Sequence, residues 1–410
     1  MNHAEASPPI AALDPLPVHA DGRFRALAGM LMGLGLLGLA WAGIGDHAGH
    51  GANQQVDNTS IAASGILAGM MLAAWVSIGA LFFTAAHILG GAHWTVPLRR
   101  LIDGLSGGWP VVLVGAIVLA AWGAPHLYDW MQPGHGLFRT AAKTAWMSAP
   151  RWMLTTGAII LLFLALRTLL VRLSLRRDGG AEVGAGEVRL AIAALILGMP
   201  AFTLLVWDGL LALEAHFTSA IWGVYCLVGA VQTFLGVLVL VVVGMGNGAL
   251  KGLIRSHIRH DLGTWMLAWG CVVAYITFAQ YIIISFANID EETFAILKRS
   301  QHGYGALYAA EAALRTLVPF ALLMSQSLRT KPAVLALAAL SVVAGNVIDL
   351  TWWIVPTFVP NHFAGVVPVA LSSLLSLGAL LLMADAFWRR HGVLPKDPRL
   401  VPTINGEHLH

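Results

Sequence analysis

The sequence predicts an all-α, polytopic membrane protein with ten transmembrane helices: two four-helix bundles (spans 2–5 and 6–9) plus two peripheral helices. Three observations predict it. Of 410 residues, 58% belong to the set AVILMFWYC and only 11% are Asp, Glu, Lys or Arg, against about 45–50% and about 25% in soluble domains. The apolar residues gather into ten stretches, each near the ~20 residues a helix needs to cross hydrocarbon. Lys and Arg collect on alternate connections. So little charge excludes a disordered chain, a nucleic-acid binder and an ordinary soluble enzyme. The net charge is only +3, which is a few arginines and not a basic groove. Cys226 and Cys271 both lie in apolar runs, so they make neither a disulfide scaffold nor a four-cysteine metal site.

The spans run approximately over 24–45, 61–89, 109–128, 151–171, 188–213, 221–246, 262–287, 306–325, 332–355 and 363–388. They form a membrane domain, 24–388, between an N-terminal tail, 1–23, and a C-terminal tail, 389–410. The polar tail before span 1, its length and the lack of a clear A-x-A site argue against a cleaved signal peptide. Arg23 and Arg25 precede span 1, and Arg99 and Arg100 follow span 2. Four arginines between Arg172 and Arg189 join spans 4 and 5. Lys251, Arg255 and Arg259 join spans 6 and 7, Arg329 and Lys331 join spans 8 and 9, and Arg389 to Arg399 follow span 10. This side carries 17 of the 24 Lys and Arg residues, and the other side five: Arg139, Lys143, Arg151, Lys298 and Arg299. The positive-inside rule then places both termini in the cytoplasm. Every connection is short, so chemistry must happen in the membrane or on partner subunits.

Spans 2 and 6 run outside to inside, as do spans 4 and 8. Spans 2–5 and 6–9 are therefore expected as two parallel bundles related by an axis along the membrane normal. Each has a long outer connection in its middle, about 129–150 and 288–305. No residue-level repeat accompanies this symmetry.

The chain lacks C-x-x-C-H, a cysteine cluster, a phosphate-binding G-x-x-x-x-G-K-[ST] and a G-x-G-x-x-G that opens a strand–helix unit. Its histidines sit at span ends or in loops, away from the mid-depth positions that a haem between spans needs. His47 and His50 form an H-A-G-H pair in a Gly-rich loop with no third ligand nearby, which reads as a solvated loop. No cofactor and no metal are expected on this chain.

Ionisable groups in the bilayer cost several kcal/mol unless paired or hydrated, so each is a functional candidate. In the outer half fall Asp208 on span 5, Gln280 on span 7, Glu311 and Arg315 on span 8, and Asn346 and Asp349 on span 9. His126, Asp129, Glu214, His216, Asn288 and Asp290 lie just beyond. Toward the inner face lie His87, Lys251, Asp261 and Asp385. Mid-depth holds Gln232, Thr233 and Thr277. Glu311 and Arg315 are four apart, hence on one helical face. An internal ion pair and a part in proton or quinone chemistry both fit them. Asn346, Asp349 and Trp353 make a stripe that suits a cavity wall or helix packing. Asp208 is the most isolated buried carboxylate, either a proton carrier or a structural anchor. Asp385 lies one turn from Arg389, as in an interfacial ion pair. His87 is an interfacial histidine, an inner-face proton donor or a contact for a quinone head. The candidate proton path is Asp208, His216, Glu311 and Asp349 lining one cavity reached from outside.

Several stretches resemble NrfD/PsrC-like integral membrane subunits, and among them the ActF-type subunit of alternative complex III, a quinol:cytochrome c oxidoreductase. The closest is His260-Asp261-Leu262-Gly263, then Tyr275 to Gln280, then Phe286-Ala287-Asn288-Ile289-Asp290-Glu291-Glu292. It looks like that subunit's H-D-L-G … F-x-Q … Y-A-N-I-P-E-E, with Phe286 for Tyr and Asp290 for Pro. Trp207-Asp208 through His216-Phe217-Thr218-Ser219 to Trp222-Gly223-Val224-Tyr225 is similar to its span 5–6 hairpin. Trp94 with Arg99-Arg100, Leu127-Tyr128-Asp129-Trp130 with Lys143, Val318-Pro319-Phe320 to Lys331, and Gly345 to Asp349 with Pro356 follow in the family's order. Together they cover roughly 61–360. Arg315 departs from the family, which tends to have His or Asn on that stretch of span 8.

The resemblance implies a subunit of a multi-subunit membrane electron-transfer complex in the bacterial inner membrane. Iron–sulfur clusters and c haems would sit on partner subunits, with quinol oxidised at the outer face. Of the two related large subunits in such complexes, this sequence resembles the one proposed to conduct protons. The other is the better supported quinol site, and the sequence leaves open whether quinone binds this chain. Two other classes remain: a stand-alone ion-coupled secondary transporter using Asp208, Glu311 and Asp349, and a purely structural membrane anchor. A transporter would more often break its helices at mid-depth, for which Pro200 and Pro319 are the fair candidates.

Overall fold

A computed structural model describes residues 22–45, 57–132, 141–181, 184–214, 217–246, 248–360 and 363–406. Among these residues there is no strand, and ten helices are long and apolar enough to cross a membrane. They are α1 (Gly22–Ile44), α2 (Asn58–Leu89), α3 (His93–Leu127), α4 (Ala149–Asp178), α5 (Gly184–Leu213), α6 (Trp222–Met245), α7 (Ser256–Ala287), α8 (Tyr304–Leu323), α9 (Pro332–Phe358) and α10 (Val366–His391). All ten predicted spans are present.

Local chemistry sets several starts. Asp57 caps α2, accepting from the Thr59 backbone N–H at 3.0 Å, which satisfies one of the donors a helix leaves free at its N-terminus. Pro150 and Pro332 stand in the first turns of α4 and α9, where no N–H is needed. Two expectations change. Helix α4 continues past 171 to Asp178, because Arg100 reaches across to Ser174 and Asp178. Ser174 is consequently buried. Residues 93–105, expected as a connection, form a 3-10 turn and the helix Arg99–Leu105, and lead into the spanning part of α3.

The helices close into two rings. In the first, α2 packs on α3, α3 on α4, α4 on α5, and α5 returns to α2. In the second, α6 packs on α7, α7 on α8, α8 on α9, and α9 returns to α6. Helices α2 and α6 are the shared wall and are buried over most of their apolar length, whereas α1, α7 and α8 are largely exposed along theirs. Close approach between these two needs a small residue. A Cβ on Gly79 of α2 would fall 2.5 Å from the Phe234 Cβ of α6. Helices α1 and α10 pair with each other and lie against α2, and Gly35 of α1 leaves no room for a Cβ beside Leu375.

Arg25 at the start of α1 and Arg389 at the end of α10 both face the fully buried Asp385, at 3.7 and 3.0 Å. Both chain ends therefore lie at one face of the bundle, the terminal face. The helix Leu400–Asn405 rests there, with Leu400 and Ile404 packed on Val96 and Leu253. Side chains such as Leu154, Ile196, Tyr275, Phe278 and Leu337 point outward from the helical body, as apolar side chains of a bilayer protein do.

Candidate functional site

The buried polar groups of the second ring meet on α6, α8 and α9. Arg315 is fully buried and lies in a π-helical turn of α8, Ala313–Leu317. Such turns interrupt the regular hydrogen-bond ladder and recur at functional positions. Pro319, four residues on, has no N–H to give the Arg315 carbonyl. Gln232 of α6 supplies the missing donor, with its Nε2 2.8 Å from that oxygen. The Arg315 guanidinium donates to Glu311 at 2.5 Å and faces Asp349 of α9 at 3.2 Å. Arg315 Nε reaches the Gln232 Oε1 at 3.3 Å, and Asn346 Nδ2 donates to the same oxygen at 3.1 Å. Tyr225 of α6 donates its hydroxyl to the other Asp349 oxygen. Two carboxylates thus share one arginine, and burial without it would leave both uncompensated.

The packing around this cluster leaves no slack. A Cβ on Gly345 would fall 2.7 Å from the Arg315 Cγ, and one on Gly229 would fall 3.0 Å from Arg315 Nη2. Glu311 Oε2, Arg315 Nη2 and Asn346 Oδ1 are buried without a hydrogen-bond partner. Buried polar atoms are ordinarily answered by protein or by ordered water.

Above the cluster, at the face opposite the termini, lies a cavity of about 300 Å³. Trp222 and Tyr225 of α6, Gln280 and Tyr281 of α7, Tyr308 of α8 and Trp353 of α9 form much of its wall. Trp222 stacks on Tyr225 with centroids 5.3 Å apart and meets Trp353 at 4.1 Å. Gln280 accepts from Ser219 at 3.0 Å, so its amide nitrogen is what it has to offer the cavity. Tyr281 is 57% exposed and stands between the cavity and the outer surface of the bundle. An aromatic hollow with a few placed polar groups is the usual form of a small-molecule site. Tyr225 belongs to both structures: it lines the cavity and holds Asp349 beneath it.

A clasp at Arg299 closes this end. Arg299 is fully buried, donates to the Trp353 carbonyl at 2.9 Å, lies 4.2 Å above the Trp353 ring and meets Glu214 at 3.1 Å. Lys298 also reaches Glu214, at 3.1 Å. Burial alone would raise the Glu214 carboxyl, but the charges of Arg299 and Lys298 outweigh it and hold the group below its ordinary range.

The expected grouping of Asp208, His216, Glu311 and Asp349 in one cavity is corrected by this geometry. Glu311 and Asp349 come together through Arg315, as the i,i+4 spacing and the depth of Asp349 suggested, and they lie under the cavity wall. Asp208 belongs to the first ring. Its carboxylate accepts from Arg151 of α4 at 2.6 Å and from Thr155 at 3.2 Å, and its carbonyl accepts from Trp152 at 3.0 Å. It is neither isolated nor at the cavity, because ring closure turns α5 toward α4 and α2. His216, with His47 and His50, lies outside the described residues. The stripe Asn346, Asp349 and Trp353 divides by depth: Trp353 lines the cavity, while the other two join the cluster. Depth alone marked Gln232 and the resembling stretch alone marked Tyr225; neither gave their partners, which are 83 and 124 residues away. No protein-family model matches the chain, and comparison with curated proteins likewise finds no match.

Proposed function

We propose that this chain is a membrane subunit of a quinol-oxidising electron-transfer complex of the alternative complex III type, supporting quinol oxidation and conducting protons from it. The observation that carries this reading is the position of Tyr225, which lines an aromatic cavity and hydrogen-bonds the buried Asp349. A quinol head in that cavity would stack among Trp222, Tyr308 and Trp353, with Gln280 as a hydrogen-bonding partner. Tyr225 would pass a released proton to Asp349, and Arg315 and Glu311 would hold the charge. Electrons would leave to redox centres on partner subunits. The resemblance along 61–360 supports the same assignment, as does the outer-face location that the Lys and Arg distribution gives this end, with both termini cytoplasmic in a bacterial inner membrane. A secondary transporter would more often break its helices at mid-depth; α6 and α9, which carry Tyr225 and Asp349, run unbroken, and of the three helices at the cluster α8 alone is interrupted, by the π-helical turn at Arg315.

Co-purification tests the reading. The chain, tagged and extracted in mild detergent, is expected to bring partner subunits with c-type haem absorbance. A chain that emerges alone, with no haem in the fraction, sinks it.

A further inference from the structure

A second cavity, about 570 Å³, opens at the terminal face in the first ring. It lies between the end of α2, the start of α3, the end of α4 and the start of α5, and residues of the C-terminal segment lie across it. Three arginines line it, Arg99, Arg177 and Arg399, with three carboxylates, Asp178, Glu187 and Asp397. The charges balance: Arg99 faces Glu187 at 3.6 Å, beyond hydrogen-bond reach, and Asp103 at 3.3 Å; Arg177 meets Asp397 at 3.4 Å and also Glu187; Arg399 meets Asp397 at 2.6 Å; and Asp178 is held by Arg100. The lining therefore has no surplus charge for an anion.

One neutral side chain in this lining has an unanswered atom. His87, 7% exposed, has its Nδ1 2.7 Å from the Phe83 carbonyl, and its Nε2 is buried without a partner. A carbonyl only accepts, so Nδ1 holds the ring proton and Nε2 is a lone pair that needs a donor. The rings of Phe83, Trp265 and Trp94 surround the imidazole at 3.9, 4.8 and 5.4 Å. Ile88, Val96, Ile102 and Val188 add an apolar wall, and Val188 is 40% exposed on the outer surface of α5. The volume is that of a small-molecule site.

We propose that this cavity binds the ring of a neutral, hydroxyl-bearing aromatic amphiphile, a phenol or hydroquinone, whose hydroxyl donates to His87 Nε2. Its tail leaves past Val188 toward lipid. The site is separate from the cavity at the opposite face and shares with the function proposed above only the quinol class of its ligand. Binding alone is proposed, with no redox step.

The test is photolabelling of the full chain in lipid nanodiscs with 4-azido-2-decylphenol, followed by peptide mapping. Labels are expected in 83–102 and 395–399, and separately in 217–225 and 277–308. His87→Leu should lower the terminal-face labelling about tenfold, as loss of one hydrogen bond to a buried partner implies, and leave the other label unchanged, which also reports that the variant is folded. His87→Gln, which retains an acceptor, should keep most of it. Absence of the terminal-face label, or its persistence in His87→Leu, overturns the proposal. Equal displacement of that label by a decyl chain without a phenol ring also overturns it and shows a lipid-tail crevice. Loss of the opposite-face label alone counts against the quinol reading and leaves this site standing.

Discussion

The hydroxyl of Tyr225 on α6 donates to Asp349 on α9, and Asp349 is the carboxylate that Arg315 on α8 holds at 3.2 Å. Three helices of the second ring are thereby joined by one buried hydrogen-bonded chain, whose first member lines a cavity.

Tyr225→Phe keeps the ring and its stack on Trp222 but removes the donor. A hydrogen bond to a charged group is worth about 1.5–3 kcal/mol, so, on the function proposed above, quinol turnover of the assembled complex should fall by roughly tenfold or more with subunit content unchanged. Turnover at the wild-type rate would remove Tyr225 from the proposed proton route.

Arg315→Leu leaves Glu311 and Asp349 buried without a cation. The expected cost is about 3–5 kcal/mol, visible as lost assembly or a lowered thermal midpoint in detergent. Adding Glu311→Gln and Asp349→Asn should recover much of it. Normal assembly of Arg315→Leu beside failed assembly of Glu311→Gln would show that the pair is not what holds these helices.

Asp208 is expected to anchor α5 to α4. Arg151→Met strands its carboxylate, whose side chain is 5% exposed, and should destabilise the chain by about 3 kcal/mol. Asp208→Asn should cost about 1–2 kcal/mol and leave turnover per assembled complex unchanged. A drop in turnover or proton yield in intact Asp208→Asn complex would return Asp208 to the proposed proton path.

Asp397 ties the C-terminal segment to the terminal face. Burial would raise its carboxyl, but hydrogen bonds and charge from Arg399, with the charge of Arg177, hold it down at about 2 against an ordinary 3.8. A depressed carboxyl stabilises the folded state fully above its unfolded value, and the contribution is lost as pH falls through the folded one. Hydrogen exchange of Leu400–Asn405 should therefore quicken as pH drops from about 4 toward about 2, once corrected for the intrinsic rate. Asp397→Asn should show fast exchange already at pH 5 and lack that step; an identical pH profile in both proteins would dissociate Asp397 from the docking.

Orientation is tested at two exposed positions, Gly179 at the end of α4 and Gln132 beyond α3. Cysteine at 132, and not at 179, should react with a membrane-impermeant maleimide in intact cells. The reverse pattern would invert the assignment of the two cavities to the two sides of the membrane.

The sequence by itself determined the ten spans, because a run of about 20 apolar residues has one low-energy state in hydrocarbon, a helix with its backbone hydrogen bonds made internally. It also determined the Glu311–Arg315 and Asp385–Arg389 pairs, since residues four apart share a helical face whatever surrounds them. Helix ends were less legible: α4 runs on through Ser174 and Asp178 because Arg100, 74 and 78 residues away, completes their polar groups. Only the tertiary structure decided which carboxylates meet. Hydropathy records the depth of Asp208 and Asp349, and both lie in the outer half by that measure. Depth says nothing of the angle at which a helix joins its ring. Ring closure turned Asp208 to Arg151 and Asp349 to Tyr225 and Arg315. Contacts between helices in a bilayer come from close packing and cross-helix hydrogen bonds, not from an apolar pattern along one helix, so the site arises where the rings close.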